Sequence, residues 1–232
     1  MPPTTAPFPC VVIPMHDEAA VIAEVVREVR RGFARVVCVD DGSSDDSAAL
    51  ARAAGAEVVV HPINLGQGAA IETGIRAALR DPAVTHVVTF DADGQHRVDD
   101  ALAMVETAAT HDVQVVLGSR FLGDVSTLPA ARRRLLRAAT AFSRATTGLA
   151  LTDAHNGLRV LRRDAAADLR VRLHGMSHAS EILGTIARRG WSYREHPVTI
   201  DYTPYSRAKG QRAYNAANIL FEVACHRLRH AA

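Results

Sequence analysis

Two acids one residue apart close the segment HVVTFDADGQH, where Asp91 and Asp93 follow the apolar run Val87-Val88-Thr89-Phe90. Carboxylates so near repel each other. Hard oxygen donors of this kind suit a divalent cation, Mg²⁺ or Mn²⁺, whose shell is completed by substrate phosphates. A solvated strand end with an Asp turn is the plainer reading of the same letters. A helix-loop-helix calcium loop needs Gly at its sixth position and Glu at its twelfth. Counted from Asp91, those places hold His96 and Leu102, which excludes it. Similar polar endings close other apolar runs: PMHDE after the first, Asp40-Asp41-Gly42-Ser43 after the second and Gly118-Ser119-Arg120 further on.

Such endings act together only if strands carry them to one line. The runs at 10–15, 35–41, 57–61, 86–91 and 113–119 predict short buried strands. Helical spacing in EAAVIAEVVREVRRG, SSDDSAALARAAG, GQGAAIETGIRAAL and VDDALAMVETAAT predicts the helices between them. This alternation implies an α/β fold with a mainly parallel sheet, and in such sheets ligands bind beyond the carboxyl ends of the strands. The Gly-rich stretch NLGQGAAIETG has Ile71 where a dinucleotide fingerprint needs its third glycine. It reads either as a helix start that meets an anion or as a close-packed turn. Beyond residue 120 the pattern predicts a basic helix from about Leu128 to Thr147, a strand GLRVL, a helix SHASEILGTIARRG and a long strand SYREHPVTIDY. An amphipathic helix over 211–232 follows.

The 232 residues are 48% hydrophobic and carry a formal charge of +2. That is enough chain for one large domain, and too little charge for a nucleic-acid binder. Residues 1–8 are expected to form a disordered tail ahead of one α/β domain over 9–210. Cys10, Cys38 and Cys225 have no metal-ligand spacing, which fits a reducing compartment. The opening MPPTTAPFPC is not a signal peptide, and no apolar run has membrane-spanning length. The expectation is a cytoplasmic protein that meets the inner face of a membrane from its surface or through a small integral membrane partner. Arg132, Arg133, Arg134 and Arg137 suit a lipid phosphate or an anionic membrane surface, or else form a solvated helix face.

VVIPMHDEAAVI, VVCVDDGSSDDS, NLGQGAA, VVTFDADGQH, GSRFLG, LTDAHNGLRV, HASEI and YSRAKGQ stand in the order and spacing of glycosyltransferase family 2. Over roughly residues 9 to 220 the chain most resembles the family's polyprenyl-phosphate sugar synthases. The resemblance implies a GT-A fold with 9–120 as its nucleotide-sugar half and 121–210 as its acceptor half, a nucleoside-diphosphate sugar donor (UDP favoured over GDP), a polyprenyl phosphate acceptor and transfer with inversion. It implies that Pro14, Asp17, Glu18, Asp41, Gly68, Asp91, Ala92 and Asp93 face the donor. Asp17 stands where many relatives carry Asn. Asp91, Asp93 and Gln95 match the ligands of Mg²⁺ or Mn²⁺. Arg120 matches a residue near the acceptor phosphate, while Arg207 and Lys209 match a basic segment that closes over the diphosphate. Asp153, Asn156, Arg159 and His178 fall on the acceptor side.

Family members that glycosylate hydroxyls carry a catalytic Asp in an ED dipeptide, because a hydroxyl must lose its proton. The corresponding stretch here reads MSHASEIL. A phosphomonoester, with a second pKa of about 6, is already largely dianionic near neutrality. Glu181 matches an acidic position of the relatives and is taken with Asp93, Arg120, Arg207 and Lys209 as catalytic. His178 is read as a base or acceptor contact, or as a structural histidine. Two alternatives stand beside the lipid-phosphate reading. One is a soluble hydroxyl acceptor with Glu181 or His178 as base; the other is a non-catalytic nucleotide-sugar-binding subunit of a membrane complex.

Overall fold

The computed structural model describes residues 6–123, 130–173, 178–202 and Tyr205. Arg207, Lys209, Cys225 and the helix expected over 211–232 lie outside the described residues.

Short β-branched runs become strands, of which the central ones are buried on both faces. β1 (Pro9–Met15), β2 (Arg35–Asp40), β3 (Glu57–Val60) and β4 (His86–Thr89) are parallel, in the order β3-β2-β1-β4. The sheet continues through β6 (Arg159–Arg162), β5 (Val115–Ser119) and β7 (Tyr193–Pro197). β6 is antiparallel to both β4 and β5, whereas β5 and β7 are parallel. One strand of the expected mainly parallel sheet is thus reversed. The long strand expected over 192–202 ends at Pro197; beyond it only an isolated bridge joins His96 to Ile200. Its partner β5 ends at Ser119, opposite Pro197, so no strand remains alongside to extend it.

Side-chain alternation sends the strands' residues into two cores. Val11, Ile13, Met15 and Val88 pack under α1 (Ile22–Gly32), α2 (Ser47–Ala53) and α4 (Val98–His111). Cys10, Val12, Val87 and Leu117 pack under α3 (Gln67–Ala78), α6 (Arg163–Asp168) and α7 (His178–Arg189). α1 shows why periodicity suffices: Ile22, Val25, Val26 and Val29 are buried while its charged residues face out. Each such side chain contributes about 1.5–3 kcal/mol when fully buried. Phe8, expected in the tail, packs against the core and donates its N–H to Thr85 Oγ1 at 2.7 Å. α5 (Ala130–Thr147) is different, burying only Thr140 and Ser143 and exposing Leu135 and Phe142.

Strand direction decides what reaches the crevice. β1, β2, β4 and β5 deliver their C-terminal residues to one edge, and antiparallel β6 delivers its N-terminal residue, Arg159, to the same edge.

Candidate active site

Just past β1, Asp17 adopts a left-handed conformation with φ 52°, a region that Asn and Asp tolerate better than most residues. Its N–H donates to Ser43 Oγ at 2.9 Å, and its Oδ1 accepts the Ser44 N–H at 2.8 Å. That backbone bond holds the Asp17 carboxyl below its ordinary pKa. Glu18 is buried, donates its N–H to Ser47 Oγ and accepts the Tyr205 hydroxyl at 2.7 Å. Burial and then Glu18 push the Tyr205 phenol above its usual range. Asp41 gathers the loop after β3: it accepts N–H bonds from Leu65 at 2.9 Å and Gly66 at 2.7 Å. His61 Nδ1 lies 2.7 Å from Asp41 and its Nε2 2.9 Å from Thr73 Oγ1, which makes a buried relay from β2 to α3. Pro14 is buried in β1 opposite Val39.

The two acids follow β4. Ala92 between them is buried in the core, and the charge of Asp91 acts on Asp93. Asp91 Oδ2 lies 2.9 Å from His96 Nε2, and its Oδ1 accepts Gln67 Nε2 at 3.2 Å from the start of α3. Burial raises the Asp91 pKa, but the His96 bond and the charges of His96, His178 and Arg159 outweigh it and leave the group lowered. Asp93 is pushed up to about 6, first by burial and then by the charge of Asp91. Gln95 Nε2 donates to Asp93 Oδ2 at 2.8 Å, which leaves the Gln95 amide oxygen as a donor atom for a cation.

Among the described residues no three His, Cys, Asp or Glu side chains group closely enough to hold a metal by themselves. Two mutually repelling carboxylates and an amide oxygen do fit a hard cation that takes its remaining oxygens from a diphosphate. The elevated Asp93 marks the repulsion such a cation would relieve.

Across the crevice, buried arginines stand at the end of β5 and the start of β6. Arg120 is buried at the end of β5; its Nε donates to Asp153 Oδ2 at 2.5 Å and its N–H to the same oxygen at 3.2 Å. Glu195 fixes Asp153 in turn by accepting its N–H at 3.0 Å. Asn156 Oδ1 accepts the Leu158 N–H, while its Nδ2 is buried without a hydrogen-bond partner. Arg159 is 2% exposed and its Nη1 likewise lacks a partner. Burial lowers this guanidinium to about 10, opposed by the charges of Asp91 and Asp153, so it stays charged near neutrality. Gly157 lets the two sides meet: a Cβ there would lie 2.2 Å from Asp91 Oδ2. A cavity of about 380 Å³ opens just past Arg120, walled by Phe121, Arg137, Thr140, Arg144 and Leu151. Two arginines of α5 lie over aromatic rings, Arg132 on Tyr202 and Arg137 on Phe121.

Glu181 stands apart from the acids. Its Oε2 accepts the N–H groups of Arg172 and Leu173, each at 2.8 Å, so it braces the segment before α7. His178, buried at the start of α7, lies against Gly68 of α3 and acts electrostatically on Asp91. Gly68 itself packs against the segment before α7, since a Cβ on it would lie 2.1 Å from the Leu173 carbonyl oxygen. Sequence reasoning missed Gln67, His96, Gly157, Glu195 and Tyr205. His96 and Gln67 sat inside motifs already singled out, and only their bonds to Asp91 distinguish them.

The model of glycosyl transferase family 2 matches residues 10–170. The chain is 25% identical, over 91% of its length, to the UDP-N-acetylglucosamine–dolichyl-phosphate N-acetylglucosaminyltransferase of Methanococcus voltae, and covers 93% of that protein. It is 32% identical, over 90% of its length, to the undecaprenyl-phosphate 4-deoxy-4-formamido-L-arabinose transferase of Pseudomonas aeruginosa, and covers 61% of that longer chain. The fold is also that of glucosyl-3-phosphoglycerate synthase from Mycobacterium tuberculosis, solved with Mn²⁺, UDP-glucose and phosphoglyceric acid. The TM-score is 0.67 at 21% identity, over 93% of this chain and 78% of that one. The architecture is the α/β GT-A fold.

Proposed function

The chain belongs to glycosyl transferase family 2 and is a glycosyltransferase, and we propose that it moves a sugar from a UDP-linked donor to a polyprenyl phosphate with inversion. Asp91, Asp93 and Gln95 would hold Mg²⁺ or Mn²⁺, which when bound neutralises charge on the departing diphosphate. His96 and Gln67 orient Asp91, and Gln95 orients Asp93. Glu18, Asp17 and Asp41, fixed through Tyr205, Ser44 and His61, form the nucleoside end. Arg207 and Lys209 are proposed to cover the diphosphate. In the reaction an acceptor phosphate oxygen forms a bond to the sugar's anomeric carbon from the face opposite the donor. The bond from that carbon to the donor phosphate breaks, and the nucleoside diphosphate leaves with its electron pair.

One observation carries the choice of acceptor. The acceptor wall presents the cation Arg120, seated by Asp153, together with the unpartnered amide of Asn156, while Glu181 Oε2 is committed to two backbone N–H groups. A hydroxyl acceptor needs a base; a phosphate dianion needs placement. The cavity walled by Phe121 and Leu151 beside Arg137 and Arg144 suits the first isoprene units behind that phosphate. Among the described residues no helix is long and apolar enough to cross a membrane. α5 has no acid among its 18 residues, and we assign it to the anionic inner surface of the membrane, with a small integral membrane protein as the alternative anchor.

The test is incubation with a panel of UDP- and GDP-sugars and Mn²⁺, offering undecaprenyl phosphate, undecaprenol and soluble sugars in parallel. A lipid-linked product from the phosphate alone is expected. Faster transfer to undecaprenol or to a soluble sugar overturns the phosphate assignment, and no donor turnover with any acceptor favours a binding subunit.

A further inference from the structure

Arg159 is the first residue of β6, opposite Thr89 of β4 and Leu117 of β5 in register. It therefore sits between the strand that ends in the metal-site acids and the strand that ends in Arg120. The acids around it already have other donors. Asp91 is bonded by His96 and Gln67, and Asp153 accepts from the Arg120 Nε and the His155 N–H. Arg159 feels the charge of both carboxylates, keeps Nη1 without a hydrogen-bond partner and is only 2% exposed. A cation so placed is shared between two anions and locked to neither. Placed between these carboxylates, it acts through them.

We propose that Arg159 is a positioning residue that couples the two sides of the crevice, holding Asp91 on the donor side and Asp153, the seat of Arg120, on the acceptor side. A divalent cation arriving at Asp91 offsets the negative charge that holds Arg159 there. The guanidinium then bears more strongly on Asp153, and the acceptor side becomes more positive towards a phosphate. Donor loading tightens acceptor binding by this route, and linkage requires the acceptor to tighten cation binding by the same factor. Transfer is thereby biased towards a loaded donor, which limits loss of the sugar to water. The inference rests on the phosphate-acceptor reading above and adds a coupling between its two sites.

The test is calorimetric titration of the full chain with farnesyl phosphate, with and without saturating Mn²⁺–UDP. The reciprocal measurement follows Mn²⁺ by electron paramagnetic resonance, with and without farnesyl phosphate. In the wild-type chain farnesyl phosphate is expected to bind about tenfold tighter in the presence of Mn²⁺–UDP, within the usual range of coupling between sites. Arg159→Met removes the shared charge, and Asp153→Asn removes one of the two anions with little change of shape. In each the ratio is expected to fall to about twofold or less. The two variants act on different groups, so the coupling is measured even if the buried Arg159→Met fails to fold. Wild-type coupling retained in either folded variant overturns the inference, as does the absence of coupling in the wild-type chain. Failure of farnesyl phosphate to bind the wild-type chain at all overturns the phosphate-acceptor reading, and the coupling with it.

Discussion

Replacing Gly157 with alanine probes the place where the two halves of the site touch. The added Cβ would lie 2.2 Å from Asp91 Oδ2 and 2.7 Å from its Cγ and Oδ1, whereas real Cβ contacts essentially never fall below 3.0 Å. Either strand β6 or the Asp91 carboxylate must therefore move by about 0.8 Å or more. The carboxylate is tied to His96 at 2.9 Å and Gln67 at 3.2 Å, so its displacement strains or breaks those bonds. Overpacking of this kind costs about 1–3 kcal/mol, which for a domain of this size lowers Tm by roughly 2–12 °C. A misplacement near 1 Å in a reacting constellation costs about 100-fold in rate. Gly157→Ala is accordingly expected to fold, to bind Mn²⁺ more weakly by calorimetry and to lose about 100-fold in kcat/KM for sugar transfer. Gly184→Ala is the control. It lies within α7, its Cβ would meet only the mobile end of Arg188 at 3.1 Å, and the helix gains about 0.5–1 kcal/mol. Wild-type Mn²⁺ affinity and turnover in Gly157→Ala would refute the placement of Asp91 against this glycine.

Asp93 has a folded pKa of about 6 against an ordinary 3.8. Its contribution to stability is complete below pH about 4 and is lost as pH rises through about 6. Asp93→Asn is therefore expected to raise the metal-free Tm more at pH 7 than at pH 5, and to abolish the Tm rise on adding Mn²⁺; a lower metal-free Tm at pH 7 counts against the strained pair. Glu181→Gln keeps an oxygen for the Arg172 and Leu173 N–H groups, so turnover is expected within about tenfold of wild type with a modest drop in Tm. Loss of activity by several orders of magnitude, with normal folding, would instead make Glu181 the base.

Much of this site was legible because strands announce their ends. The β-branched runs before Asp17, Asp41, Asp91 and Arg120 showed which residues share the crevice edge, and the DADGQ spacing singled out the residues proposed to hold the cation. Direction was not legible. Arg159–Arg162 reads as a strand in either orientation, and only its pairing with β4 and β5 shows that Arg159 arrives at the crevice. The surroundings of Arg159 were equally hidden, since a lone Arg at a strand start carries no mark of burial between two acids. The bracing bonds of Glu181 were hidden for another reason. Its partners are backbone N–H groups, which leave no trace in residue type. His96 was visible in the motif, but a histidine beside an amide shows nothing of the carboxylate it orients until the turn after β4 is in place.

The reversed β6 also determines how the molecule can be divided. β5 lies between β6 and β7, and both come from beyond residue 158. A fragment ending at residue 120 would hold β5 with neither neighbour and would leave the outer edge of β4 unpaired. The two halves expected from the sequence are thus not separable folding units. Their closing contacts join residues far apart in the chain, a topology that folds slowly. Exchange of acceptor specificity between relatives should consequently succeed by grafting the crevice loops onto an intact sheet, and fail when whole C-terminal halves are swapped.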